Sequence, residues 1–252
     1  MKLIIANGCS MASGFECTAP GTQHADDWNY AWPAKIAEHY NIDHINLSRT
    51  GQSNWSISVT TQSEVLRLLN HTPAENILVI IGWTEFTRSE YITDKECINL
   101  NAGLLEYYNK GLPKSLYYLK ADIAAGIAGW VGQSIDSHMN KFIWTYWGLI
   151  QFLKNYKIKY FFFNALNKPY HPNNDLLFLD TKINKHYSPD PEVWNTLHTD
   201  PYYDSGPTQF DWLKTYYPDH TVGEGVGQKH WNSEALEAWA QYLIPSIDKQ
   251  FL

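Results

Sequence analysis

Cysteine and methionine are scarce, with three of each in 252 residues. Cys9, Cys17 and Cys97 are odd in number and show no metal-ligand spacing. That pattern speaks against a disulfide framework and points to a reduced, cytoplasmic protein. Positive charge is also in short supply: Lys and Arg number 19 against 26 Asp and Glu, for a formal net charge of -7. With no basic cluster to offset the balance, a nucleic-acid partner is not expected. Long apolar runs are missing too. Phe142 to Leu153 is interrupted and falls short of the roughly 20 residues a membrane helix needs, so no membrane partner is expected. Behind Lys2, the run Leu3-Ile4-Ile5-Ala6 is shorter than the roughly 7–15 apolar residues of a signal-peptide core.

Two further absences bear on cofactors. The glycine-bracketed stretch Gly8-Cys9-Ser10-Met11-Ala12-Ser13-Gly14 lacks both the Gly-Lys-Ser/Thr ending of a phosphate loop and the Gly-x-Gly-x-x-Gly fingerprint. His186, His198, His220 and His230 fall at no recognised ligand spacing. Neither a cofactor nor a metal is expected.

What the chain has in abundance is aromatic surface: 15% of its residues, including 11 Trp and 17 Tyr. Many of these, such as Trp28, Tyr30, Trp194, Tyr202, Tyr203, Trp212, Tyr216 and Tyr217, lie in segments without clear periodicity. There they serve either as anchors for long loops or as faces that stack on sugars.

Short apolar runs alternate with helical patterns. Strands are expected at Leu3 to Ala6, His44 to Leu47, Asn76 to Ile81 and Lys159 to Phe163. The third is apolar on both alternating faces, as in a sheet covered on both sides. Helices are expected after Trp32-Pro33, from a cap at Ser53 or Asn54 to about Leu69, and from a cap at Asn232 or Ser233 to the C-terminus. The last carries Leu236, Trp239, Ala240, Leu243, Ile244 and Ile247 at helical spacing. Between Asn99 and Tyr156 the pattern is mostly helical, with breaks near Gly126 and Gly129. Strands separated by helices imply one α/β domain over residues 1–252, a three-layer α/β/α sandwich with a parallel sheet. An irregular, aromatic-rich insertion is expected around 167–228.

The chemically useful residues cluster where strands end, which is where open α/β sheets bind ligands. Ser10 follows the first strand, Gly51 the second and Thr84 the third, while His230 precedes the last helix. A serine, backbone donors on loops and a late histidine are the parts of acyl-transfer chemistry. Helix capping by Ser10, packing by His230 and a purely conformational Gly51 are the structural alternatives.

In these blocks the chain resembles the SGNH (GDSL) hydrolase superfamily. Gly8-Cys9-Ser10 stands for the family's Gly-Asp-Ser, and Gly51-Gln52-Ser53-Asn54 matches its Gly-x-Ser-Asn wording. Gly82-Trp83-Thr84-Glu85 stands for Gly-x-Asn-Asp, and Gly227-Gln228-Lys229-His230 for Asp-x-x-His. The resemblance implies a flavodoxin-like fold, with Ser10 as nucleophile and His230 as base. It also implies an oxyanion hole from the Ser10 and Gly51 N–H groups together with Thr84. Asn54, Trp83 and Trp231, beside these blocks, are the expected substrate contacts. Two departures stand out: Thr84 occupies the family's Asn position, and Gly227 its Asp position. Glu224, Gln228 or Asp219, or else a backbone carbonyl, would then orient His230. The expected activity is hydrolysis or transfer of an acyl ester carried by a small molecule or glycan. The alternative is an SGNH-like binding or structural module without catalysis. Oligomeric state is not legible.

Overall fold

Alternation within the strands sets the layering. In β1 (Leu3–Asn7) and β3 (Ile77–Trp83) the residues from Leu3 to Ala6 and from Ile77 to Ile81 are apolar throughout, and neighbours point to opposite faces of the sheet. Ile4, Ala6, Leu78, Ile80, Phe161 and Phe163 enter one core, and Ile5, Ile77, Val79, Ile81, Tyr160 and Phe162 the other. Each needs its own cover. The first core is closed by α2 (Trp32–Tyr40) and the last helix, the second by α3 (Asn54–Leu68) and α6 (Ile135–Asn155). The result is a three-layer α/β/α fold.

This computed structural model describes residues 1–15, 17, 28–94, 96–112, 114–133, 135–166, 200–204, 206–222 and 230–251. Its main sheet contains β2 (Asp43–Asn46), β1, β3, β6 (Lys159–Asn164) and β7 (Tyr203–Asp204), in that order, with every pairing parallel. Counting these five strands along the chain gives the order 2-1-3-4-5. In that arrangement the chain winds in opposite senses on either side of β1 and β3, and the crevice between their carboxyl ends is the expected ligand position. The short α1 (Ser10–Ser13) begins there.

Three sequence expectations need correction. The second strand is shifted one residue towards the N-terminus, ending at Asn46, because it pairs in register with Leu3 to Ala6 of β1. The stretch expected to be helical from Asn99 instead completes a β-hairpin of β4 (Ser89–Ile92) and β5 (Cys97–Leu100). Helices α4 (Ala102–Lys110) and α5 (Lys120–Val131) follow it. The break before α6 comes after Gly132, and Gly126 and Gly129 both lie inside α5. Gly126 is small because the hairpin lies on it: a Cβ there would stand 3.0 Å from Tyr91 Cβ.

Within the expected insertion, residues 200–204 and 206–222 are described. They hold β7, α7 (Gln209–Tyr216) and β8 (Thr221–Val222), so this part contributes the fifth strand of the sheet. The rest of that call lies outside the described residues. β9 (His230–Trp231) pairs antiparallel with β8, and α8 (Ser233–Phe251) closes the chain. No helix among the described residues is long and apolar enough to cross a membrane.

Candidate active site

Three buried asparagines shape the carboxyl edge of the sheet. Asn7 ends β1 with no exposed surface. Its Nδ2 donates to the Ile57 carbonyl at 3.0 Å and lies 2.9 Å from both Thr60 Oγ1 and Thr61 Oγ1. Its Oδ1 accepts from the Gly8 N–H at 2.9 Å, so one carboxamide ties the strand end to α3 and fixes the following turn. There is no room for a side chain at Gly8: a Cβ would come within 2.8 Å of Ala12 Cβ and 3.1 Å of the Gly82 carbonyl oxygen.

That turn delivers Ser10 as the first residue of α1. Cys9, Met11, Ala12 and Ser13 are buried around it, while Ser10 itself is half-buried. Asn46, at the end of β2, holds α1 in place by donating from Nδ2 to the Ala12 carbonyl at 2.8 Å. Its Oδ1 accepts from Ser48 N–H at 3.1 Å, which also sets the direction of the β2–α3 loop.

The loop then presents Gly51 at φ 78°, a left-handed conformation that favours glycine. Gly51 is half-buried, and its N–H has no hydrogen-bond partner among the described residues. Gln52 stiffens the loop by accepting from Arg49 N–H at 3.0 Å, and Ser53 caps α3 through the Ser56 N–H. Asn54, the third clamp, reaches across to the end of β3. Its Oδ1 accepts from Thr84 N–H at 2.9 Å and its Nδ2 donates to the Thr84 carbonyl at 3.1 Å.

The expected substrate contacts take framework positions. Asn54 is 4% exposed, with both ends of its carboxamide spent on Thr84. Trp83 is fully buried among Phe142, Tyr146 and Phe162. Trp231 is 3% exposed, and its Nε1 donates to the Tyr217 carbonyl at 3.1 Å. These residues lie beside the blocks in sequence, whereas burial depends on what packs above them. The Thr84 hydroxyl is likewise buried and meets no hydrogen-bond partner among the described residues. It is not turned to open space as an oxyanion donor must be.

His230 opens β9 and is half-buried. α1 packs against β9, and the Phe15 ring beyond α1 meets the His230 imidazole edge-on, with centroids 5.1 Å apart. The fold thus brings α1 and β9 together from opposite ends of the chain. Asn232 Oδ1 accepts from Ala235 N–H at 3.0 Å, capping α8 immediately after β9. Asp219 is exposed in the turn before β8. Glu224, Gln228 and the substituted Gly227 lie outside the described residues, as do His186 and His198.

The sequence reading missed the polar face of the β4–β5 hairpin. Glu90 and Asn99 are paired across the hairpin, and Glu90 accepts a hydrogen bond from Ser53 Oγ. A Cβ on Gly51 would stand 3.2 Å from Asn101 Nδ2 and 3.9 Å from Asn99 Nδ2. The signal was present in Ile98-Asn99-Leu100-Asn101, which alternates with period two. Burial raises the Glu90 carboxyl above its ordinary value, although the Ser53 bond and nearby Lys141 favour its charge. Burial also lowers the His138 imidazole, keeping it neutral more readily. Glu85 and Arg88 form a loose ion pair at 3.9 Å.

No family model and no curated protein matches the sequence. Solved structures do match in fold. One is the psychrotrophic esterase EstA from Pseudoalteromonas sp., 12% identical, with a TM-score of 0.50 over 99% of this chain and 98% of that one. Another is a family two carbohydrate esterase from Clostridium thermocellum, 10% identical, with a TM-score of 0.52 over 98% of this chain and 63% of that one. A protein of the lipolytic G-D-S-L family from Desulfitobacterium hafniense DCB-2 aligns over 98% of this chain and 99% of its own, with 12% identity and a TM-score of 0.49. At these identities the likeness is one of fold.

Proposed function

We propose that this chain is a serine-dependent ester hydrolase or acyl transferase, with Ser10 as nucleophile and His230 as its base. The observation that supports this reading is the packing of α1, which begins at Ser10, against β9, which begins at His230, both residues being half-buried. In this reading Ser10 Oγ adds to the ester carbonyl carbon while His230 takes its proton. The carbonyl π electrons move to oxygen, and the N–H groups of Ser10 and Gly51 hold the resulting oxyanion. His230 then returns the proton to the departing alcohol. Water, or an acceptor alcohol, releases the acyl group from Ser10 by the same steps in reverse.

The substrate class is an acyl ester of a small molecule or carbohydrate. The carbohydrate esterase among the structural neighbours and the aromatic richness of the chain favour acetylated sugars as the first compounds to test. Fluorophosphonate labelling of the wild type, lost in Ser10→Ala, together with hydrolysis of acetylated sugars, is the expected result. A folded wild type that neither labels nor hydrolyses would overturn the proposal.

One observation favours a second reading, a binding module without catalysis. Thr84 stands where the resemblance calls for an Asn donor, and its hydroxyl is buried. Sugar binding that survives Ser10→Ala and His230→Ala, with no labelling of the wild type, is the outcome that reading requires.

A further inference from the structure

The hydrolase reading leaves the oxyanion hole one side-chain donor short. Its backbone donors come from Ser10 and Gly51, and the only polar atom of the Thr84 side chain is buried away from open space. Yet Gly51 has a carboxamide directly over it. The hairpin β4–β5 lies across the β2–α3 loop, tied down by the hydrogen bond from Ser53 Oγ to Glu90. Where that hairpin runs into α4, Asn101 Nδ2 stands 3.2 Å from the point a Gly51 Cβ would occupy.

Asn101 is also oriented. Its Oδ1 accepts from the Leu104 N–H at 2.9 Å in the first turn of α4, and its carbonyl accepts from Leu105 N–H at 3.1 Å. With the oxygen end of the carboxamide engaged at the helix, the Nδ2 end turns back towards Gly51. One Nδ2–H has a long contact of 3.4 Å to the Asn99 carbonyl, and the other has no partner among the described residues. Asn101 is half-buried, as Gly51 is.

We infer that Asn101 is a catalytic residue of this chain: its Nδ2–H is the third donor to the oxyanion, delivered by the β4–β5 hairpin in place of the donor missing at Thr84. The inference rests on the hydrolase reading above. The chemistry is unchanged by it. As Ser10 Oγ bonds to the carbonyl carbon and its proton passes to His230, negative charge collects on the former carbonyl oxygen beside Gly51. A fixed N–H donor there binds the transition state more strongly than the neutral ester. Its loss therefore falls on kcat more than on KM.

The test compares wild type, Asn101→Ser and Asn101→Ala in the full chain, using p-nitrophenyl acetate hydrolysis and fluorophosphonate labelling. Asn101→Ser keeps an acceptor for the Leu104 N–H, since serine caps helices well, but removes the long-reaching amide donor without adding charge. Thermal melting reports whether each variant folds. The expected result is a fall in kcat of about 10²–10³-fold in both variants with KM changed by less than about threefold. Asn101→Ser with wild-type kcat, in a protein whose activity still depends on Ser10, would overturn the Asn101 inference and leave the hydrolase reading standing. A wild type with neither hydrolysis nor Ser10-dependent labelling would overturn both.

Discussion

Asn54 and Thr84 hold each other in both directions: the Asn54 carboxamide accepts from the Thr84 N–H at 2.9 Å and donates to the Thr84 carbonyl at 3.1 Å. Both residues are almost fully buried, and the pair locks the start of α3 to the end of β3. Asn54→Ala would strand a buried N–H and a buried C=O together, at a cost of about 2–4 kcal/mol. In a chain of this size the melting temperature should fall by roughly 5–15 °C. An unchanged melting temperature would show that water or a shifted loop replaces both bonds.

The Thr84 side chain is a different matter from its backbone. Its hydroxyl is buried without a partner among the described residues, so Thr84→Val exchanges that polar atom for a methyl group of similar size while keeping both bonds to Asn54. Stability should rise by about 1 kcal/mol in chemical denaturation. A loss of stability would mean that the hydroxyl has a partner after all.

Gly82 sits under the Phe163 ring, and an added Cβ would lie 2.9 Å from Phe163 Cζ and 3.1 Å from its Cε2. The ring is in the core and is packed edge-on against Trp32, so it has little freedom to retreat. Gly82→Ala should destabilise the protein by about 1–3 kcal/mol through overpacking. Denaturant midpoints for the variant, and for Gly82→Ala combined with Phe163→Leu, provide the check. Relief in the double variant is the expected sign of a steric cause.

Glu90 makes stability depend on pH. Its carboxyl titrates above the ordinary glutamate value because burial disfavours the charge. The folded protein therefore holds this proton more tightly than the unfolded chain does. The stabilisation linked to that proton is complete below the ordinary glutamate pKa and is lost as pH rises through the raised value. Glu90→Gln keeps an oxygen to accept from Ser53 but never ionises. The variant should gain on the wild type as pH climbs from about 4 to 7. Melting temperatures measured across that range decide it, and a constant difference between the two proteins would contradict the assignment.

Much of this arrangement could be read in advance. Apolar runs located four of the five strands of the main sheet, and helical spacing located α2, α3 and α8 to within a few residues. Placement of Ser10, Gly51 and Thr84 after strands followed from those runs. The β4–β5 hairpin escaped because Ile98 and Leu100 also suit a helix start, and only pairing with Ser89 to Ile92 makes them a strand. Trp83 and Trp231 were misjudged for a related reason: a tryptophan beside a site motif looks the same in sequence whether a neighbouring helix covers it or not.

The chain's own pattern determined the strands, the helix faces, the caps at Ser53 and Asn232, and the clustering of chemical residues at strand ends. Each of these depends on residues within a few positions of one another. Only the tertiary structure decided that Asn7 would clamp α3, that Asn54 would clamp Thr84, and that Asn101 would stand over Gly51. Those contacts join residues about 30 to 50 or more positions apart. Their partners are set by which surfaces meet when two apolar cores close on either side of one sheet, and no local period records that.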